Sequence, residues 1–160
     1  GRLDDAIELY QKAINAHPEL SGIWTNLGVA LMAKNDFVTA SEAFKKAADL
    51  SPTDSRPLVN LGVAYWQQAD RDTATQAFEM ATIADAKNRE ALRALAYLGL
   101  ETNDLKRAED AALKLGQLGE SIPELLYQIA LLRQKSGEHE QASTWLDAAV
   151  AGCEAGHGDS

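Results

Sequence analysis

The chain has 160 residues, 46% apolar and 24% charged, which suits one ordinary soluble domain and excludes collagen-like, mucin-like and broadly disordered readings. Fifteen Lys and Arg against 24 Asp and Glu leave a net charge of −9, which would repel a phosphate backbone and argues against a nucleic-acid partner. No apolar run approaches the ~20 residues that span a bilayer. The start carries no signal-peptide pattern, and the single cysteine, Cys153, excludes an intrachain disulfide or a cysteine-based zinc site.

An internal repeat organises the rest. Ala6, Ala40, Ala74, Ala108 and Ala142 stand 34 residues apart. Gly28 and Gly62, Phe44 and Phe78, and Pro18 and Pro52 keep the same step. So do Asp36, Asp70 and Asp104, continued by Glu138, and Leu27, Leu61 and Leu95, continued by Ile129. These coincident series set full units at 21–54, 55–88, 89–122 and 123–156, without insertion.

In chain order, residues 1–20 read as the second half of an earlier unit, with an unpaired helix over 1–17. In 21–54, Trp24, Leu27, Gly28 and Leu31 share one helical face. Asn35 suits a left-handed helix end, and Asp36 is placed to cap the next helix. Ala40, Phe44 and Ala47 mark the inner face of that second helix, and Ser51-Pro52-Thr53-Asp54 closes the unit. Unit 55–88 repeats the pattern with Leu58, Leu61, Gly62 and Tyr65, then Ala74, Phe78 and Ala81. Small residues on the first helices (Gly28, Gly62, Ala96, Ala130) and on the second (Ala40, Ala74, Ala108, Ala142) let the two backbones approach to the short end of the ~8–10 Å range. Unit 89–122 is a degenerate copy, 123–156 a weaker one, and 157–160 a tail. The unpaired first helix and the lack of a polar capping helix after Val150 suggest a piece of a longer protein, or open ends that self-associate.

No chemistry rises above this framework. His17, His139 and His157 lack paired ligand spacing, no phosphate-binding loop appears, and Cys153 near His157 has no third group to orient it. The expectation is a chain that is not an enzyme and takes no metal or cofactor.

Trp24-x-x-Leu27-Gly28-x-x-Leu31 followed by Ala40, Phe44, Ala47 and Pro52 resembles the tetratricopeptide repeat (TPR), and Leu58 to Ala81 is a second good copy. The resemblance covers nearly the whole chain, as about four and a half repeats. It implies an all-α fold: antiparallel helix hairpins stacked into a right-handed superhelix, each pair buried against its neighbours. Against the family pattern, Gly99 replaces a bulky residue and Ala112 stands where Phe44 and Phe78 stand, so less core volume is expected there. Glu120 replaces the closing proline, and Gly116 and Gly119 precede Pro123, which predicts the loosest junction near 115–123. Arg133 takes a usually aromatic position; its stem is expected to pack while its head reaches water.

The resemblance further implies that the first helices line a concave groove for a protein or peptide partner. Carried over by position, the lining is Asn26, Asn60, Ala94 and Gln128; Val29, Val63, Tyr97 and Leu131; Met32, Trp66, Leu100 and Gln134; with Arg56, Arg93, Tyr127, Glu101 and Lys135. Asn26 and Asn60 are similar to the asparagine ladder of the O-GlcNAc transferase superhelix, where an amide both donates to and accepts from a peptide backbone; both could equally be solvated consensus residues. Trp66 and Tyr97 are candidate anchors, with packing between first helices the alternative for Trp66. A carboxylate clamp of the co-chaperone kind is disfavoured, because Thr25 and Val29 stand where its lysine is expected. The leading expectation is an interaction scaffold within a larger assembly. The alternatives are the substrate-recruiting arm of an enzyme and, disfavoured by charge and repeat length, an RNA-reading helical repeat. Cytoplasm is the favoured compartment, with the periplasm open if a leader was removed.

Overall fold

The computed structural model describes residues 1–120 and 122–156, the last four of these by backbone alone. The expected tail at 157–160, and His157 with it, lies outside the described residues. Among these residues there are helices and turns but no strand: α1 (Arg2–Ala16), α2 (Ser21–Ala33), α3 (Phe37–Leu50), α4 (Ser55–Gln67), α5 (Arg71–Ala84), α6 (Arg89–Glu101), α7 (Leu105–Gln117), α8 (Pro123–Lys135) and α9 (His139–Gly156). They fold as helix hairpins of the solenoid type. Two compact units result, Gly1–Ala91 and Leu92–Ser160, divided within α6.

In the first unit α2 pairs with α3 and α4 with α5, while α3 packs on α4 and α1 on α2. One residue makes each hairpin turn work. Asn35 and Ala69 take left-handed φ values of 61° and 63°. The next backbone N–H then closes the finished helix, Asp36 donating to the Leu31 carbonyl and Asp70 to the Tyr65 carbonyl, both at 3.0 Å. The carboxylates of the same two residues open the following helix, accepting from Thr39 N–H at 3.2 Å and Thr73 N–H at 3.1 Å. Longer ties fix neighbouring turns: Ser51 Oγ donates to Ser21 Oγ, and Asn88 Nδ2 to Ser55 Oγ, each at 2.9 Å.

Phe44 and Phe78 are the largest residues fully buried here, each contributing about 1.5–3 kcal/mol by leaving water. A Cβ on Gly28 would fall 2.5 Å from the Phe44 ring, and one on Gly62 would fall 2.7 Å from the Phe78 ring. These two glycines therefore make room for an aromatic ring; the close approach of backbones expected from sequence is not their main role. Ile14, Leu27, Leu31 and Leu61 share the core cluster with Phe44.

The second unit solves its crossing differently, and the expected deficit of core volume is corrected. Leu92, Leu98 and Leu115 are fully buried. Leu115 stands where Ala47 and Ala81 stand, so the bulk absent at Ala112 returns one turn further along α7. Leu98 likewise stands where Ala30 and Ala64 stand. Gly99 is no loss either: a Cβ there would fall 2.7 Å from the Ala108 nitrogen and 2.9 Å from the Asp104 carbonyl oxygen. Here glycine does admit a neighbouring backbone. Asp104 repeats the double role, donating to the Gly99 carbonyl at 2.7 Å and accepting from Arg107 N–H at 3.1 Å. α8 and α9 form the last hairpin, and α7 meets α8 along a shorter line than α3 meets α4. No helix among the described residues is long and apolar enough to cross a membrane.

Candidate functional site

In the first unit the first helices α2 and α4 touch, and their solvent-reaching residues lie in two matching rows. Asn26 and Val29 on α2 are exposed, Val29 at 51%. Asn60 and Val63, one repeat on, are half-buried. Neither Asn amide has a hydrogen-bond partner among the described residues, so both keep donor and acceptor capacity. Three other expected lining residues are partly committed to the fold. Met32 packs against the core. Trp66 meets the buried Phe78 ring edge-on, with centroids 6.2 Å apart at 83°, so it is a packing residue whatever else it does. Arg56 forks onto Asp54, with Nε 3.0 Å from Oδ1 and Nη2 2.7 Å from Oδ2. That fork holds the Asp54 carboxyl below its ordinary value and raises the guanidinium.

In the second unit Tyr97 is exposed beside Arg93, whose guanidinium is also engaged. Its Nε and Nη2 lie 3.1 and 2.5 Å from the two carboxylate oxygens of Glu120, fastening the turn after α7 to α6. Ala94 is buried, while Leu100 is half-buried and Glu101, Gln128, Gln134 and Lys135 are exposed.

Tyr127 and Leu131 of α8 line a cleft of about 370 Å³ with Gln134, His139, Ala142 and Leu146, between α8 and α9. Register explains it. Leu146 and Val150 occupy the positions of Phe44 and Ala48 in the α2–α3 hairpin, which α4 covers. They are 42% and 52% exposed, whereas Phe44 and Ala48 are 1% and 8%.

Arg133 departs from expectation. Its side chain is only 18% exposed, and its head does not reach freely into water. Nε and Nη2 lie 2.7 and 2.6 Å from the Glu109 carboxylate on α7, and Nη1 pairs with Glu138. Hydrogen bonding to Glu109 raises the guanidinium pKa further above its ordinary value. The sequence held a signal for this pair. Arg133 occupies the position of Tyr65, and Glu109 that of Ser41, two repeats earlier in both cases. An arginine in an aromatic slot and a glutamate in a hydroxyl slot, 24 residues apart in both places, mark a paired substitution. The Arg93–Glu120 fork and the α8–α9 cleft had no such signal, since both depend on how turns and hairpin ends sit.

No group of three or more His, Cys, Asp and Glu that could hold a metal ion occurs among the described residues. Hairpins at a fixed step, with polar and apolar rows on their first helices, define a helical-repeat protein. Tetratricopeptide-repeat family profiles match residues 31–98 and 1–55, together more than half of the chain, and the chain belongs to the tetratricopeptide-repeat family.

Among curated proteins none matches it in sequence. Among solved structures, MamA superposes with a TM-score of 0.83 at 21% identity, over 97% of this chain and 91% of MamA. YrrB, a TPR protein with an unusual peptide-binding site, superposes with a TM-score of 0.78 at 16% identity, over 94% of this chain and 78% of YrrB. PilF of Pseudomonas aeruginosa superposes with a TM-score of 0.69 at 20% identity, over 86% of this chain and 63% of PilF. These likenesses show the fold.

Proposed function

We propose that the protein holds a segment of a partner polypeptide against its first helices, as one component of a larger assembly. In the first unit Asn26, Val29, Asn60 and Val63 form the contact surface, with Trp66 at its edge. The observation that supports this most is the pair of unpartnered amides at the same repeat position on touching helices. An amide with both functions open suits a peptide backbone, which offers both in turn. That YrrB has a peptide-binding site lends the reading a precedent in the same fold. Tyr97, Tyr127 and Leu131 extend the proposal to the second unit. The enzyme-arm alternative gains no specific support from the relatives found.

The test is a peptide selected from a displayed random library. Replacing Asn26 and Asn60 together by alanine should weaken its binding by about tenfold or more, a loss of about 1.4 kcal/mol, with the melting temperature unchanged. Unaltered binding would reject the amide role.

The exposed α8–α9 cleft supports a second reading, in which another helix, from a second copy or a partner, seats where α4 seats on α2–α3. Leu146→Glu should then abolish any concentration-dependent association seen by sedimentation; association that survives it lies elsewhere.

A further inference from the structure

We infer that the α8–α9 cleft takes, from a partner polypeptide, an amphipathic helix of the α4 kind: one that lays an aromatic side chain, and not a charged one, over Ser143. This rests on the second reading above, in which a helix covers that cleft, and names the chemistry of the helix.

Each unit shows how a covering helix answers the hairpin beneath it. In the second, Arg133 of α8 forks onto Glu109 of α7. In the first, Tyr65 of α4 stands at the Arg133 position and Ser41 of α3 at the Glu109 position. There the ring packs against the core around Phe44. The Ser41 hydroxyl is buried and donates to the Val38 carbonyl of its own helix at 2.7 Å. A carboxylate below is met by a guanidinium above, and a serine by a ring. The same position in α9 is Ser143, which lines the cleft and is exposed.

A second tie follows the same register. Gln68, at the end of α4, donates Nε2 to the Phe37 carbonyl at 3.1 Å. The counterpart of Phe37 is His139, which also lines the cleft. α8 has Ser136 at the Gln68 position, and its hydroxyl turns back to the Leu132 carbonyl. The stripe that fits the cleft is therefore that of Leu61, Ala64, Tyr65 and Gln68, at i, i+3, i+4 and i+7.

Charge decides between the two kinds of helix. Arg133 keeps its charge at low exposure because Glu109 pairs with it. No Asp, Glu, Lys or Arg is among the described residues that line the α8–α9 cleft. An arginine or a carboxylate laid over Ser143 would lose hydration without an opposite charge. A ring loses no such hydration and covers Leu146, one turn along α9.

The occupant arrives in trans. α3 ends at Leu50, and four residues return the chain as α4. The counterparts of those four, 153–156, are still helix in α9, which runs to Gly156. A folded second copy does not supply the stripe either. Among its first helices the position holds Leu31, Tyr65, Gly99 and Arg133, and Tyr65 is already packed in its own core.

The experiment adds a fluorescent, helix-stapled peptide of residues 55–68 to the full chain, as a stand-in for the partner helix, and reads anisotropy. The peptide should bind, and Leu146→Glu in the chain should abolish binding with an unchanged helical spectrum. The peptide carrying Tyr65→Arg should bind at least about tenfold more weakly. On a Ser143→Glu chain the order should reverse, the Tyr65→Arg peptide becoming the tighter ligand. Equal binding of both peptides, tighter binding of the Tyr65→Arg peptide to the unaltered chain, or an order that Ser143→Glu leaves as it was, each with binding still lost on Leu146→Glu, overturns the inference and leaves the docking cleft standing. Binding of neither peptide, or binding that survives Leu146→Glu, overturns the cleft as a helix site and the inference with it.

Discussion

The α4–α5 and α6–α7 hairpins occupy successive repeats of one length, yet they fill their crossings by opposite means. In α4–α5 a phenylalanine ring lies over a glycine, and a buried alanine, Ala81, follows one turn on. In α6–α7 the ring position is Ala112, the glycine position is Ala96, and the bulk sits at Leu115 and Leu98. The glycine has moved one turn along the first helix, to Gly99, where it meets backbone instead of a ring. The repeat thus preserves the volume of the crossing, and no single position within it is obligatory. A copy that looks degenerate residue by residue can be complete when its residues are summed as a set.

Several substitutions can break or sharpen that contrast. Phe78→Ala empties a fully buried site and should cost about 3–5 kcal/mol by chemical denaturation, whereas Ala112, its counterpart, should tolerate Gly at a small fraction of that. Gly99→Val should cost about 3 kcal/mol, because the atoms it strikes are backbone at 2.7 Å and 2.9 Å and cannot swing aside. Gly62→Ala meets a ring that can shift and should cost about 1–2 kcal/mol. In a Phe78→Ala background it should be close to neutral, which reproduces the Ala96 and Ala112 pairing and can be read from a double-mutant cycle. Additive costs would show that glycine and ring are independent. Ala69→Gly relieves a left-handed alanine at φ 63° and should raise stability by about 1 kcal/mol, while the same change at Asn103 should gain less.

The gentlest probe is pH. Lys34 holds the exposed Asp4 carboxyl at about 2. Arg56 and Thr73 hold Asp54 and Asp70 below their ordinary value. Since the folded values lie below the unfolded ones, these contributions are complete above about pH 4 and are lost as pH falls toward 2. The melting temperature should be flat from neutral to weakly acidic solution and then decline, and Asp4→Asn should make that decline shallower.

Most of the framework could be read from the sequence because the repeat step is local information. The 34-residue series places Asp36, Asp70 and Asp104 at helix starts, and each does cap the helix that follows. Asn35 was legible as a left-handed residue for its side chain's tolerance of that conformation; Ala69, which has no such tolerance, was not. Readings of the third repeat failed where they judged Gly99 and Ala112 one at a time. Side-chain positions on the first helices were legible as rows, but their commitments were not. Arg93 and Arg56 look available in sequence and are held by Glu120 and Asp54, and Trp66 leans on Phe78. Such commitments depend on rotamers and turn geometry, which periodicity does not encode.

The Arg133 pairing reaches from one 34-residue block into the block before it. Blocks joined only by greasy contacts could be duplicated, deleted or reordered by recombination with little harm. A chain in which this arginine was parted from Glu109 would carry a half-sequestered cation facing a serine or threonine, and its mirror-image product would carry a stranded acid. That one pair makes the order of the last two blocks heritable as a single piece, and anyone splicing this array should cut elsewhere.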